Sequence, residues 1–144
     1  MTVARICTRT VDTAELDETA QVAASRMNSR NVGTLVILDE DKSPVGIVTD
    51  RDLAMRVVGE GLDPNSTTIE TVMTRSPERV TEHTPIENAI SIMRRGPHRR
   101  LPVVDDQDQL IGILTLDDVI ELLCEEFEEI GKLMRKESPN AVSL

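Results

Sequence analysis

The sequence predicts a mixed α/β fold made of two related halves that pack their sheets together about a pseudo-twofold axis. Three observations lead to this prediction. The chain contains an internal repeat, each half shows the same order of helix and strand signals, and the length of 144 residues suits two half-sized units that share one hydrophobic interface. Neither half is long enough to bury a core alone, so we expect the two to pack against each other.

The repeat is clearest in a segment that contains a glycine, a threonine and an aspartate. Residues 46–53, Gly-Ile-Val-Thr-Asp-Arg-Asp-Leu, recur 66 residues later as residues 112–119, Gly-Ile-Leu-Thr-Leu-Asp-Asp-Val. The same offset aligns identical residues upstream without a gap: Ala23 with Ala89, Ser25 with Ser91, Met27 with Met93, Leu35 with Leu101, and Asp39 with Asp105. We therefore interpret the chain as one unit that was duplicated and then diverged.

The first predicted element of each unit is a helix. In the second unit we expect Thr84 to cap it, with Pro85 in the first turn and Glu87 three residues after the threonine. Apolar residues recur at helical spacing over residues 86–93 and, in the first unit, over residues 20–27. Both helices should lie against a sheet.

Two strands joined by an acidic turn follow each of these helices. The predicted strands are the apolar runs at residues 34–38 and 45–48 in the first unit, and 101–104 and 110–114 in the second. A second helix then starts at Thr49 or at Thr115, and the latter is long and heavily charged. The predicted boundaries are residues 4–62 for the first repeat, 63–68 for the linker, 69–126 for the second repeat, and 127–144 for a C-terminal helix extension and tail.

Residues 59–66, around the start of the linker, are rich in turn residues, which predicts a surface connection between the repeats. After it, Thr67-Thr68-Ile69-Glu70 predicts a short helix that begins with a capping box.

Composition excludes several classes of function. The 16 basic and 26 acidic side chains give a net charge of −10, which disfavours general binding to nucleic acids or anionic membranes. No apolar run approaches the roughly 20 residues that span a bilayer, and the N-terminal sequence lacks the apolar centre of a signal peptide, so we expect a cytoplasmic protein. Phe127 is the only aromatic residue, so the core must be aliphatic.

The cysteines and histidines do not predict a metal site. Cys7 and Cys124 lie at opposite ends of the chain, and only His83 and His98 could join them. We expect two reduced thiols and no metal, with a redox-sensing bridge as the alternative.

The repeated pattern Gly-apolar-apolar-Thr-x-x-Asp-apolar at residues 46–53 and 112–119 resembles the signature of CBS domains, as does Leu-Pro-Val-Val-Asp at residues 101–105. The likeness covers residues 4–125 and extends to stand-alone prokaryotic CBS-pair proteins, including the hypoxic-response type. It implies two β-α-β-β-α units in a Bateman module and a homodimer. The usual ligands of such modules are AMP, ADP, ATP, which can bring Mg²⁺, or S-adenosylmethionine.

The resemblance further implies two unequal ligand sites, because in this family the Thr-x-x-Asp of one unit faces the first strand region of the other. Site one would combine Thr49 and Asp52 with Val80, Thr81, His98, Arg99 and Arg100. Site two would combine Thr115 and Asp118 with Ala14, Glu15, Val32, Gly33 and Thr34. The two aspartates would hold ribose hydroxyls in their respective sites.

The two predicted sites differ in the side chains that they offer to a phosphate. A carboxylate can accept hydrogen bonds from both hydroxyls of a ribose, and a guanidinium suits a phosphate through its charge and paired donors. Arg99 and Arg100 are replaced at the equivalent positions by Gly33 and Thr34, so we expect phosphorylated ligands to prefer site one.

Each motif also has a plainer interpretation. A threonine followed three residues later by an acid is a capping arrangement at a helix start, and the two roles are compatible. The basic segment 93–100 is also consistent with a solvated turn in an acidic chain, and a nucleic-acid patch there would lack aromatic stacking residues.

At the level of function, the first hypothesis is a non-enzymatic sensor that binds an adenine nucleotide and signals to a separate partner protein. The alternatives are a ligand-independent dimeric scaffold and a sensor of S-adenosylmethionine or an NAD-type ligand. An enzyme is not expected, since no nucleophile motif or phosphate-cradling glycine loop is present in the sequence.

Overall fold

Helices and strands follow one another twice in the same order along the chain. The computed structural model describes residues 1–137. The strands are β1 Thr13–Glu15, β2 Thr34–Leu38, β3 Pro44–Thr49, β4 Thr74–Arg75, β5 Val80–Thr81, β6 Arg100–Val104 and β7 Leu110–Thr115. The helices are α1 Ala20–Arg30, α2 Asp50–Leu53 with a π-helical turn over Ala54–Val58, α3 Ile69–Val72, α4 Ile86–Arg95 and α5 Leu116–Glu137.

The strands form two sheets with matching topology. One sheet has the order β1-β2-β3-β4 and the other has the order β5-β6-β7. In both, a short parallel strand borders an antiparallel hairpin, and Leu35 pairs with Val48 just as Leu101 pairs with Leu114. The register therefore repeats at the 66-residue offset, and the predicted mixed α/β fold of two related repeats is confirmed.

The helix-facing side of each sheet buries its own cluster of small and aliphatic residues. The first cluster contains Ala14, Ala20, Ala23, Met27, Leu35, Ile37, Val48, Leu53, Val57, Ile69, Val72 and Met73. The second contains Val3, Val80, Ile86, Ala89, Leu101, Val103, Leu114 and Val119. The expectation of an aliphatic core is confirmed, and the single aromatic residue, Phe127, lies on the surface.

The opposite face of each sheet is buried as well. Side chains alternate between the two faces of a strand, so the neighbours of the helix-facing residues point away from the helices. Among these neighbours, Val36 and Ile47 of the first sheet and Pro102 and Val104 of the second are nearly inaccessible to solvent. This burial follows from the predicted packing of one sheet on the other.

The two hairpin turns meet each other across the pseudo-twofold axis. Lys42 and Asp108, at equivalent positions, both adopt left-handed backbone angles, with φ of 63° and 61°. Leu110 N donates to Lys42 O at 3.0 Å. The equivalent bond cannot form from Pro44, which lacks an N–H, and instead the Ser43 hydroxyl donates to Asp108 O at 2.6 Å.

Each repeat also receives a segment from outside its predicted boundaries. Thr8, near the N-terminus, bridges to Ile113 of β7, while Val3 lies in the second core cluster. At the 66-residue offset, Thr74 of β4 pairs with Ile47 of β3. Residues 3–8 and 69–75 therefore occupy equivalent places on the two sheets.

These two segments explain the glycine that begins the repeated motif. A Cβ atom on Gly46 would overlap Sδ of Met73, and one on Gly112 would lie 2.9 Å from the carbonyl oxygen of Thr8. Neither glycine has a left-handed φ, so close approach of the neighbouring segment, rather than backbone freedom, favours glycine at both positions. The constraint is stricter at Gly112, where the neighbouring atom belongs to the backbone, than at Gly46, where it belongs to a methionine side chain.

Two predicted helix caps are wrong in detail. Helix α4 begins after Pro85 without a side-chain cap, because the hydroxyl of Thr84 instead accepts a hydrogen bond from Thr81 N at 3.0 Å. Helix α3 begins after Thr68, again without a side-chain cap, and the neighbouring Thr67 hydroxyl donates to Asp63 O at 2.7 Å. In both places the hydroxyl stabilises the preceding turn rather than the helix.

Helix α5 runs well past the second core cluster. Of its 22 residues only Val119 and Leu122 are buried. The predicted tail beyond Glu137 lies outside the described residues.

Candidate functional site

The two Thr-x-x-Asp motifs form reciprocal capping boxes at the starts of α2 and α5. Thr49 N donates to an Asp52 carboxylate oxygen at 2.9 Å, and Asp52 N donates to the Thr49 hydroxyl at 3.1 Å. In the second repeat the corresponding distances between Thr115 and Asp118 are 2.8 and 3.1 Å. The structural interpretation of the motif is therefore confirmed, and each carboxylate keeps a second oxygen for other partners.

The second oxygen of Asp52 lies close to Arg56. Asp52 Oδ1 is 3.6 Å from an Arg56 guanidinium nitrogen, and the Asp52 side chain is only 13% exposed. The same guanidinium donates to Val72 O at 2.7 Å and to the Thr74 hydroxyl at 3.3 Å. Arg56 thus connects the capping acid of the first repeat to β4, and no sequence pattern had singled it out.

A cavity of about 170 Å³, which we call the linker cleft, opens beside β4. One wall comes from the segment that leads into the second repeat, and the other comes from the end of α4 and the start of β6. Its lining residues are Thr74, Arg75, Ser76, Pro77 and Glu78 on the first wall, and Ile92, Gly96, Pro97, His98, Arg100 and Leu101 on the second.

Two of the predicted site residues, His98 and Arg100, line this cleft. The His98 Nε2 atom is buried and has no hydrogen-bond partner among residues 1–137. An unsatisfied buried polar atom typically costs about 1–3 kcal/mol, which a ligand atom that bonds to it would recover. His98 is therefore a candidate ligand contact.

The basic side chains of the cleft come from both walls. Arg75 lies 3.8 Å from Glu70 in an exposed ion pair, whereas Arg100 makes no ion pair within the described range. Arg99 is exposed and its carbonyl oxygen accepts from Leu116 N at 2.9 Å, so its backbone lies beside the start of α5. The cleft thus offers two guanidinium groups against the single carboxylate of Glu78.

In the first repeat the corresponding space is filled by charged side chains. Arg30 donates to Asp12 at 2.8 Å, and Arg26 donates to Thr13 O at 2.9 Å. At the 66-residue offset, Arg30 is replaced by Gly96 and Arg26 by Ile92. The two repeats therefore differ physically at this place: an ion pair occupies one, and the other remains open.

The remaining residues predicted for site one lie near the cleft but outside its lining. Val80 and Thr81 form β5 and pair with Val103 and Val104 of β6. Thr49 and Asp52 do not line the linker cleft, and their connection to it runs through Arg56.

The residues predicted for site two come from both repeats. Thr34 pairs with Thr49, and Gly33 O accepts from Asp50 N at 3.0 Å, so both lie beside the capping box of their own repeat. The hydroxyl of Thr34 is buried without a partner in residues 1–137. Val32 packs against the first core cluster. Thr115 and Asp118 lie in the other repeat, where Arg100 pairs with Thr115.

Ala14 and Glu15, also predicted for site two, line a different and larger cavity. This open cavity of about 800 Å³ lies at the edge of the first sheet. It is lined by Thr13, Ala14, Glu15, Leu16, Asp17, Leu38, Asp39, Glu40, Asp41 and Lys42. With five carboxylates and one lysine, this cavity repels a phosphate.

Sequence reasoning missed Arg56 and the wall formed by residues 74–78. A signal for the wall existed, because the offset that defines the repeat aligns Thr74 and Arg75 with Thr8 and Arg9. Nothing in the sequence marked Arg56, whose partners come from two separate segments.

The two cysteines are free thiols in different surroundings. Cys7 is partly buried and Cys124 is exposed. Burial raises the pKa of the Cys7 thiol above its ordinary value, an effect that Arg9 opposes, so the thiol remains protonated at neutral pH.

Comparisons with known proteins agree with the repeat. A family model described as CBS domain matches residues 3–59 and 69–125. An uncharacterized protein of Methanopyrus kandleri is 34% identical over 122 residues, which are 85% of this chain and 62% of that protein. The chain therefore spans less than two thirds of that relative.

Two solved structures are similar to the whole fold. Hypoxic Response Protein I, solved with two coordinated zinc ions, has 29% identity and a TM-score of 0.76, with 84% of this chain and 98% of that chain covered. The CBS domain pair of protein MJ0100, solved in complex with 5′-methylthioadenosine and S-adenosyl-L-methionine, has 29% identity and a TM-score of 0.77, with coverage of 88% and 98%.

Two features are absent from residues 1–137. Within that range no group of three or more His, Cys, Asp or Glu side chains is placed to hold a metal ion. No helix in the same range combines the length and apolar character needed to cross a membrane.

Proposed function

The chain belongs to the CBS domain family and is a regulatory CBS pair, and from this premise we propose that it binds an adenine nucleotide at the linker cleft. In this proposal AMP, ADP or ATP is the ligand, with Mg²⁺ accompanying ATP, and the bound state is reported to a separate partner protein. The chain itself catalyses nothing, and it acts in the cytoplasm, where adenylate levels are its input.

The similar CBS pair of MJ0100 supports an adenosyl ligand, since both of its ligands contain an adenosyl group. The adenosine ribose carries two neighbouring hydroxyls, and a carboxylate oxygen accepts hydrogen bonds from such a pair. Asp52 keeps one oxygen outside its capping bond, on the side that faces Arg56 and β4. We assign the ribose to Asp52 and, in the second site, to Asp118.

The observation that carries the phosphate assignment is the lining of the linker cleft. Arg100 and Arg75 supply cationic donors, and His98 supplies a buried nitrogen without a partner. Hydrogen bonds to charged groups contribute roughly 1.5–3 kcal/mol each when well placed. A ligand with a phosphate should therefore bind more tightly than one without.

The size of the cleft implies that it must adjust to a whole nucleotide. Ligand pockets usually measure about 300–1,000 Å³, whereas this cleft measures about 170 Å³. It accommodates a phosphate as it stands, and the nucleoside would lie between the cleft and Asp52. Because the walls belong to β4 of one sheet and β6 of the other, a ligand that joins them changes the fit of the two sheets. That change is the signal in this proposal.

Ligand-induced change in melting temperature tests the proposal. The panel of separately added ligands comprises AMP, ADP, ATP with and without Mg²⁺, adenosine, S-adenosylmethionine and NAD. A nucleotide that binds should stabilise the fold by about 2.7 kcal/mol when its concentration is 100 times its Kd. Arg100→Ala should reduce the AMP effect to that of adenosine. Asp52→Asn, which keeps an oxygen for the Thr49 cap, should weaken all the adenosyl ligands.

The matched control is Arg94→Ala, which removes an exposed arginine of α4 that does not line the cleft. It should leave the AMP effect unchanged, and each variant is compared with its own ligand-free melting temperature. A response to adenosine that equals the response to AMP in the unmodified chain contradicts the phosphate assignment.

A ligand-independent scaffold is the second candidate, and the exposed apolar residues of α5 favour it. A melting temperature that no member of the panel changes would support the scaffold. Turnover of a nucleotide that disappears in Asp52→Asn would overturn the assignment of a non-enzymatic role.

A further inference from the structure

The helix that begins at the first Thr-x-x-Asp motif changes its hydrogen-bonding pattern after one turn. Residues 54–58 form a π-helical turn, in which Gly59 N donates to Ala54 O, five residues earlier, at 2.8 Å. Single π-helical turns occur frequently at functional sites. Arg56 is the middle residue of this turn.

Three groups from separate parts of the first repeat meet at the Arg56 guanidinium. One nitrogen donates to Val72 O at 2.7 Å, and both terminal nitrogens donate to the Thr74 hydroxyl, at 3.3 and 3.4 Å. The third group is Asp52 Oδ1, 3.6 Å away. Val72 ends α3, and Thr74 begins β4 and lines the linker cleft. We call residues 72–78, which contain both of these partners, the entry segment.

The second repeat does not reproduce this contact. At the 66-residue offset Arg56 is replaced by Leu122, which is buried, and α5 continues as a regular α-helix through that position. Among residues 1–137 Asp118 makes its two capping hydrogen bonds and no ion pair. The two aspartates are alike in their capping boxes and differ in what lies beside the second carboxylate oxygen.

We propose that Arg56 reports the occupancy of Asp52 to the entry segment, so that Asp52 is the ribose acid that signals and Asp118 is not. This inference rests on the proposed function, which assigns ribose hydroxyls to Asp52. A hydroxyl that donates to Asp52 Oδ1 weakens the attraction of this oxygen for the guanidinium. The guanidinium then moves toward its other two partners, Val72 O and the Thr74 hydroxyl, and the entry segment adjusts to it.

The entry segment is placed to pass this adjustment to the second repeat. It contains Ser76, whose backbone is left-handed with φ of 49°, and it ends beside Arg79. Arg79 donates to both carboxylate oxygens of Asp108, in the hairpin turn of the second repeat, at 2.8 and 2.7 Å. A contiguous series of contacts therefore leads from Asp52 to the second repeat, and coupling between distant sites is carried by such contacts.

Nuclear magnetic resonance of the ligand-free full chain tests the contact itself. The reporter is the Met73 amide, because its peptide unit contains Val72 O, to which Arg56 donates, and Met73 does not line the cleft. Asp52→Asn keeps an oxygen for the Thr49 cap but removes the charge that faces Arg56. It should shift the Met73 amide nitrogen resonance in the unmodified background and leave it in place when combined with Arg56→Met.

Two matched controls separate this link from general disturbance. Asp118→Asn makes the same change in the other capping box and should not shift the Met73 resonance. Arg51→Met removes an exposed arginine of α2, and in its background Asp52→Asn should still shift that resonance. If Asp52→Asn does not shift Met73 in the unmodified chain, or shifts it equally with and without Arg56, the proposal is overturned.

A second variant covers the case in which Arg56→Met folds poorly. Arg56→Lys keeps the positive charge, but its ammonium is a compact point charge and lacks the paired donors of a guanidinium. It should reduce the shift at Met73, and an undiminished shift in a folded Arg56→Lys chain contradicts the assigned role of the guanidinium.

Titration with adenosine, and then with AMP, separates the signal from binding. In the unmodified chain the bound ligand should shift both the Thr49 amide, which donates to Asp52, and the Met73 amide. In Arg56→Met it should still shift Thr49 but no longer shift Met73. A Met73 shift that persists in Arg56→Met overturns the signalling role and leaves the proposed function standing. If neither ligand shifts any resonance of the unmodified chain, the proposed function fails, and the signalling role fails with it.

Discussion

At the scale of single residues, the carboxylate of Asp52 accepts a hydrogen bond from Thr49 N within the protein itself. Its bond to Thr49 N fixes the start of α2 and also fixes where the other oxygen lies. The motif could be recognised from the sequence because the same pair recurs at Thr115 and Asp118. A capping bond is local in sequence, and so local spacing was sufficient to predict it.

Residues whose partners are distant in sequence were harder to predict. Arg56 contacts Asp52 on its own helical segment, but it also bonds to Val72 and Thr74 across the linker. No spacing rule relates these positions. The lining role of His98 was expected only through resemblance, and the isolation of its Nε2 atom depends on the packing around it.

Gly46→Ala should destabilise the fold by about 1–3 kcal/mol, because the new methyl group would overlap Met73. Gly131→Ala is the control, since Gly131 lies on an exposed helix where alanine should raise stability by up to about 1 kcal/mol. Urea denaturation of both variants measures the two effects. If Gly46→Ala were neutral, or if adding Met73→Ala to it recovered none of the loss, the explanation for the motif glycine would be wrong.

At the scale of elements, most helices and strands could be predicted because the sequence pattern that indicates each of them occurs twice, 66 residues apart. Helix α4 is present as expected, but it begins at Ile86 and lacks the predicted threonine cap. The Thr84 hydroxyl instead accepts a hydrogen bond from Thr81 N in the preceding turn. The placement of residues 3–8 on the second repeat was not predicted. That contact joins segments about 100 residues apart, and an extended segment of this length carries no periodic pattern.

Val3→Ala tests the contribution of this N-terminal segment. Val3 is fully buried in the second core cluster, so its truncation should lower the free energy of unfolding by about 1–3 kcal/mol. Hydrogen exchange should show faster opening of β6 and β7 than of β2 and β3. Val22→Ala, which shortens a half-exposed side chain on α1, should cost less than about 0.5 kcal/mol. Equal loss of protection in both sheets would contradict the assignment of Val3 to the second repeat.

At the scale of the whole molecule, duplication produces two similar halves that differ in their side chains and in the space left between them. The pair of Arg30 and Asp12 fills the space that remains open beside Gly96 in the second repeat. The sequence predicted unequal sites from Arg99 and Arg100, and the structure adds that the difference also lies in the space available. That part could not be predicted, because it depends on which long side chains find partners in the folded state.

The most direct test of the proposed sensor is a crystal structure of the full chain grown with saturating AMP. We expect the phosphate within hydrogen-bonding distance of Arg100 and His98, and the ribose hydroxyls on the free oxygen of Asp52. AMP bound away from the linker cleft, or no bound AMP at a concentration that saturates other adenylate sensors, would contradict the account.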